Sequence, residues 1–410
     1  MITLASLQPA ASFLSNTKHC SEPVNRMRVL QILPYYQPAY RYGGPVKSVH
    51  GLNKALVEAG VDVTQFTTNI DGTQDLDVPL GEEVLLDGVK VYYYSVQAPR
   101  SYIYSFQLKQ ALHKRLSTFE LVHIHGLYVY PTTAAAHFCR HHQIPYLIAP
   151  RGMLDHDAMQ TGNLVKKSRK RAYLNLMEKA NLDGATALHF TAEEERRRSV
   201  YECSKERSVI VPNGLDVADF PLKEESDDTD TVLFLSRIHS HKGLDLLIPA
   251  FAEVIQQHPR ARLRLVGPDN TNYFPQIQAL ITHYQLHDYV QYDGMLLGEE
   301  KIKALQQAAL FVLPSFSESF GMSIVEALAC GTPVVISDRV NIYREIEAAQ
   351  CGVVTRREIT EIANGILFLL QHPAEAKQMG LRGRALVEEK FTWTAVADSM
   401  KSVYQSIIEK

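Results

Sequence analysis

LFVLPSFSESFGMSIVEALACGTPVVI, residues 310–336, carries a strand, a loop, a helix and a second strand in that order. Leu310 to Leu313 is a short unbroken apolar run, the pattern of a strand covered on both faces. Pro314 ends it. Ser319, Gly321 and Ser323 are small residues around a helix start near Phe320, and Gly331 is placed to end that helix before the next run at Pro333 to Ile336. Strand, helix, strand at this spacing is the signature of a parallel sheet.

The same alternation extends in both directions. Downstream, residues 359–410 read as helices only. Upstream in this half lie strands at Thr231–Leu235 and Arg262–Val266, with helical spacing over residues 244–255 between them. A polar, acidic stretch, residues 223–230, has no periodicity and reads as a linker. Before it, strands are expected at residues 28–33, 61–67, Val89–Tyr94, 121–124, Tyr146–Ala149, Ala187–Phe190 and 209–211, with a helix over residues 46–59. A chain of 410 residues is longer than one core usually organises. The expectation is α/β: an N-terminal extension (1–26), a Rossmann-like domain (27–222), the linker (223–230), a second Rossmann-like domain (231–390) and a closing helix (391–410).

Composition removes several function classes. A net charge of -3 gives no reason to expect a nucleic-acid partner. The five cysteines, Cys20, Cys139, Cys203, Cys330 and Cys351, form no CxxC pair, which argues against a zinc or redox site and fits a reducing, cytoplasmic setting. No apolar run reaches the length of a bilayer span. The first 25 residues lack the unbroken apolar stretch of a signal peptide and read as a loose extension.

Two segments of the second half point to a phosphate. Ser236-Arg237-Ile238-His239-Ser240-His241-Lys242-Gly243 follows a strand and opens a helix, so Arg237 and Lys242 would stand at the mouth of the sheet's crevice. Fixed cations there suit a diphosphate; the plain alternative is a pair of solvated surface charges. In the opening segment, the small residues leave backbone amides approachable at a helix start, a natural anion site. Glu318 and Glu326 are eight residues apart, about 12 Å along a helix. That suits two contacts on one elongated ligand, or, alternatively, an N-cap neighbour and a salt-bridged helix residue.

These segments resemble those of glycosyltransferase family 4, retaining enzymes of the GT-B fold. The matching pieces run in the family's order: Gly43-Gly44, His123-Ile124-His125-Gly126, Val211-Pro212-Asn213-Gly214-Leu215-Asp216, the Ser236 to Gly243 segment, Val266-Gly267, Glu318-x7-Glu326 and Phe391-Thr392-Trp393. The resemblance covers residue 28 to the C-terminus. It implies two Rossmann-like domains facing across a cleft, with C-terminal helices crossing back to the first. It implies that Gly43 and Gly44 approach the donor diphosphate and that Arg237 and Lys242 neutralise it. Glu318 would bind the donor sugar, amides around Phe320, Gly321 and Met322 would complete the cradle, and Glu326 would hold the ribose. His125 would face the reacting sugar; its alternative is a packed loop histidine.

The implied reaction moves a sugar from a nucleotide-diphosphate donor, a UDP- or GDP-sugar, to a glycan, lipid-linked or small-molecule acceptor. Charge grows on the departing phosphate, where Arg237 and Lys242 are placed to stabilise it. Asp75-Leu76-Asp77, Asp155-His156-Asp157 and Asp228-Thr229-Asp230 match a loose metal-site pattern, but short Asp patterns are common in loops. No required metal or other cofactor is expected. Arg151, after the strand ending at Ala149, is a candidate contact for an anionic acceptor or an ordinary structural charge. The basic stretch Lys166–Arg171 is either a peripheral contact for anionic membrane or a solvated helix face. Rival readings are another GT-B enzyme, such as a nucleotide-sugar epimerase, and a non-catalytic nucleotide-sugar-binding protein.

Overall fold

The structure, a computed structural model, describes residues 26–160, 164–223 and 230–409. The expected extension (1–26) and linker (223–230) lie almost wholly outside the described residues, as do Asp228 and the side chain of Lys166.

The first half contributes β1 (Arg28–Tyr35), β2 (Asp62–Thr68), a small ribbon of β3 (Ile70–Asp71) and β4 (Gln74–Asp75), then β5 (Glu83–Leu86), β6 (Val89–Tyr94), β7 (Leu121–His125), β8 (Tyr146–Ala149), β9 (Ala187–Phe190) and β10 (Ser208–Ile210). The second half contributes β11 (Thr231–Leu235), β12 (Arg262–Val266), β13 (Val290–Gly294), β14 (Leu310–Leu313), β15 (Val334–Ser337) and β16 (Gly352–Thr355). The first sheet runs β10-β9-β8-β7-β1-β2-β6-β5 and the second β13-β12-β11-β14-β15-β16. All pairings in the two large sheets are parallel except that of β5 with β6. Parallel strands need helices on both faces, and the two cores of the first half lie on opposite sides of its sheet.

Both strand orders reverse at one point. From β1 the chain moves outward to β2, then returns to place β7 on β1's other side. In the second sheet β11 lies between β12 and β14 in the same way. Loops leaving two such neighbours diverge, and the gap between them is where open α/β sheets bind ligands.

The C-terminal crossing is present. Leu215 N–H donates to Phe391 O (2.8 Å) and Trp393 N–H returns to Leu215 O (3.2 Å). The Thr392 hydroxyl caps the final helix, Trp393–Ile408. That helix packs on the first half through Val396, Met400 and Tyr404. A Cβ on Gly51 would lie 2.2 Å from the Trp393 ring, so only a bare backbone admits this crossing.

The basic segment near 170 is helical, Leu164–Tyr173. Arg169 and Arg171 are exposed, while Lys170 Nζ turns in and donates to Ala158 O (2.8 Å). No helix among the described residues is long and apolar enough to cross a membrane.

Candidate active site

The loops after β11 and β14 meet as the strand order requires. Phe316 N–H donates to His241 O (2.9 Å). Gly243, at φ +75°, ends the β11 loop and opens the helix Leu244–Gln257; a Cβ there would lie 2.0 Å from Pro314 O. Only glycine satisfies both the left-handed backbone and that approach. Gly243→Ala is therefore expected to destabilise the chain by about 2 kcal/mol or more and to weaken anion binding by separating the loops. Denaturant midpoints and ligand titration of the variant measure both, and unchanged values would remove glycine's role here.

A cleft of about 510 Å³ opens between these loops and the first half. Arg237, His239, His241 and Lys242 line it from the β11 loop, and residues 316–319 from the β14 loop. Asp157 and Ala158 face them from the first half. Two cations expected at a phosphate thus share one cavity with Glu318. Lys242 Nζ is ion-paired with the Glu318 carboxylate, at side-chain exposures of 12% and 18%. Arg237 has no carboxylate within ion-pair distance among the described residues.

The β14 loop delivers its amides to a helix start. Gly321 takes φ +83° and N-caps the helix Met322–Ala329 without a side-chain cap. The amides of Phe320, Gly321 and Met322 have no acceptor among the described residues, which leaves them to an anion. The Phe320 ring is buried edge-on against Phe391 at 5.5 Å, anchoring the turn. Across the cleft, Gly152 meets Ser319 closely: a Cβ on Gly152 would come within 2.5 Å of Ser319 Oγ. Glu195 holds that wall. Its carboxylate accepts from Gly152 N–H (2.6 Å) and from both the amide and hydroxyl of Thr191 (2.7 Å each).

Gly43 and Gly44 stand where β1 gives way to the helix Gly44–Glu58, with open space where a Cβ would be. Their backbone is open on the Cβ side, and neither lines the 510 Å³ cleft. Glu326 is also outside that lining and accepts from Lys301 Nζ (2.9 Å), a partner on the helix Gly298–Gln307 that no motif announced.

Two side chains turn into the first domain. His125 is fully buried, as its packed alternative has it. It shares a sheet face with His123, the two rings tilted at 40° with centroids 4.1 Å apart, and the C-terminal helix covers that face with Tyr404. Its Nε2–H donates to Gln31 Oε1 (2.7 Å), and its Nδ1 accepts from Arg151 (3.1 Å). Arg151 likewise turns inward. It donates to Asn213 Oδ1 (2.7 Å) and His125, and burial draws its pKa down to about 10. Nη1 and Nη2 are tied inside the domain, and Nε has no hydrogen-bond partner among the described residues.

Several Asp-x-Asp carboxylates are ion-paired with arginines. Asp155 and Asp157 both pair with Arg198 (3.0 and 2.6 Å), and Asp75 pairs with Arg100 (2.8 Å).

Comparison with known proteins agrees with this geometry. Residues 43–214 match the family described as glycosyl transferase 4-like domain, and residues 218–386 match glycosyl transferases group 1. The glycogen synthase of Mycobacterium tuberculosis is 25% identical over 405 residues, covering 92% of this chain and 94% of that one. Among solved structures, sucrose-phosphate synthase from Thermosynechococcus elongatus superposes with a TM-score of 0.72 at 23% identity, covering 94% of this chain and 100% of that one. Anabaena HepE in complex with UDP and glucose superposes at 0.70 with 16% identity, covering 93% and 100%. Two matched halves, a reversed strand order in each sheet and a cationic cleft between them make one conclusion: the chain belongs to the GT-B glycosyltransferases.

Proposed function

We propose that this glycosyltransferase takes its sugar from a nucleoside diphosphate donor, UDP- or GDP-linked, and transfers it with retention to a glycan, lipid-linked or small-molecule acceptor. The observation that carries the reading is the meeting of Arg237, Lys242 and Glu318 in one cleft beside an uncapped helix start. The cations and free amides lie where negative charge grows as the anomeric C–O bond to phosphate breaks. They supply the neutralisation, so no metal is assigned to the step. The acceptor attacks from the leaving-group face, and a phosphate oxygen takes its proton, which requires no in-line protein base. Glu318 binds donor hydroxyls once the phosphate has drawn Lys242 to itself. HepE, the fold relative solved with UDP and glucose, favours a uridine donor among the two.

Thermal melting with a panel of UDP- and GDP-sugars tests this. A correct donor at a hundredfold over its Kd adds about 2.7 kcal/mol of stability and raises the midpoint. No shift with any sugar nucleotide, nor with UDP or GDP alone, sinks the donor reading.

A further inference from the structure

Two of the carboxylates lining the cleft are already paired. Asp157 is bonded by Arg198 (2.6 Å), and Glu318 by Lys242. What remains is Arg237 and a cation no motif contained, Arg357, which lines the same cavity. Among the described residues neither has a carboxylate within ion-pair distance. The contrast with its neighbour is direct: Arg356 Nε donates to Glu361 (2.6 Å) and is exposed, whereas Arg357 is partly buried and turns to the cleft. Asp245 lies near enough to feel the charge of Arg357 but outside ion-pair distance.

Topology places these two cations on either side of the helix start. Arg237 leaves β11 and Arg357 follows β16, while the β14 loop and its free amides lie between them in the sheet order. The Arg357 guanidinium sits over the Phe316 ring at 4.2 Å from its centroid. Stacking occupies the face of the guanidinium and leaves its N–H donors, which point out in the plane, available for oxygen. An arginine held by an aromatic face, without a carboxylate partner among the described residues and beside amides with no acceptor among them, is prepared for an anion rather than for packing alone.

We infer that Arg357 is a donor-binding residue, a second guanidinium that grips the diphosphate opposite Arg237. The inference rests on the nucleoside diphosphate reading above. It assigns Lys242 a different part: Lys242 is ion-paired with Glu318, so the two arginines are the cations that meet the phosphates first.

The test is calorimetric titration of the full chain with UDP, GDP, inorganic pyrophosphate and the free nucleosides. Arg357→Met keeps an unbranched stem on Phe316 but removes the charge and the donors. Its diphosphate and pyrophosphate affinity is expected to fall about tenfold or more, with nucleoside affinity and melting midpoint unchanged. Arg357→Lys restores part of the loss. Met and unaltered chains binding UDP, GDP and pyrophosphate equally would overturn the inference while leaving the donor reading intact. An unaltered chain that binds neither UDP nor GDP overturns the donor reading and this inference with it.

Discussion

The Arg237→Ala, Lys242→Ala double variant is expected to turn over donor at least about a thousandfold more slowly than the unaltered chain. Loss of one preorganised group facing a developing anion costs roughly a hundredfold to a thousandfold. The two losses are not expected to multiply, because Lys242 also answers Glu318. The single variants separate these parts. Arg237 has no carboxylate partner among the described residues, so Arg237→Ala should lower turnover at little cost in melting temperature. Lys242→Ala leaves a largely enclosed carboxylate, 18% exposed, without its cation. It should lower both, since removing one member of an enclosed pair strands the other charge. Adding Glu318→Gln to Lys242→Ala should recover the melting temperature but not the turnover. Turnover in the Arg237/Lys242 double variant at the unaltered rate would mean the leaving phosphate is stabilised elsewhere.

Which residues were readable from the sequence follows from how far away their determinants lie. Tyr146–Ala149 and Leu310–Leu313 are continuous apolar runs because helices cover both faces of a parallel sheet, so the local pattern carries the answer. Two edge strands were missed for the converse reason. Val290–Gly294 has one neighbour and exposes Gln291, and Glu83–Leu86 is a half-exposed antiparallel edge; neither needs a continuous apolar run. Arg237, Lys242 and Glu318 were legible because each follows a strand at the point where the order reverses. His125 closes the strand β7 and is buried, because Tyr404, 281 positions from His123, closes over that face. No local signal encodes a partner that distant. Arg357 was invisible for the same reason: one basic residue after a short strand acquires meaning only through the sheet order that brings it to Phe316.

Acidification below about pH 6.5 is expected to unfold the chain steeply, through three histidines that the transferase cleft never touches. A single directed chain of hydrogen bonds crosses the first domain. Arg151 donates to His125 Nδ1 (3.1 Å), His125 Nε2–H to Gln31 (2.7 Å), Gln31 to the Tyr404 hydroxyl (2.9 Å) and Tyr404 to His123 Nδ1 (2.7 Å). His123 Nε2–H then donates to His189 Nδ1 (3.2 Å), and His189 Nε2–H to Val211 O (2.8 Å). An arginine can only donate and a carbonyl can only accept, so the ends fix the direction and every imidazole is neutral. A proton on any ring would set two donors against each other. Burial is the main force lowering all three pKa values. The Arg151 charge adds to it for each, and His189 is drawn down to about 3. Unfolded, each takes a proton at about 6.5. The fold therefore keeps its full stability above that pH and loses it below, as the unfolded chain binds protons the folded chain refuses. One such group costs about 1.4 kcal/mol per pH unit, and three cost roughly 4. Glu195, Asp245 and Glu345, whose pKa values burial raises, act with the opposite sign and offset part of the slope, while His239, whose pKa burial lowers, adds to it. A typical stability of about 5–15 kcal/mol is then consumed within a few pH units. Denaturant midpoints from pH 7.5 down to 5 measure the slope. His189→Gln keeps an acceptor for His123 and a donor for Val211 without the titration, so it should lower the slope by about a third. A midpoint that stays level across that range would mean the histidines protonate inside the fold, and the directed chain would be wrong.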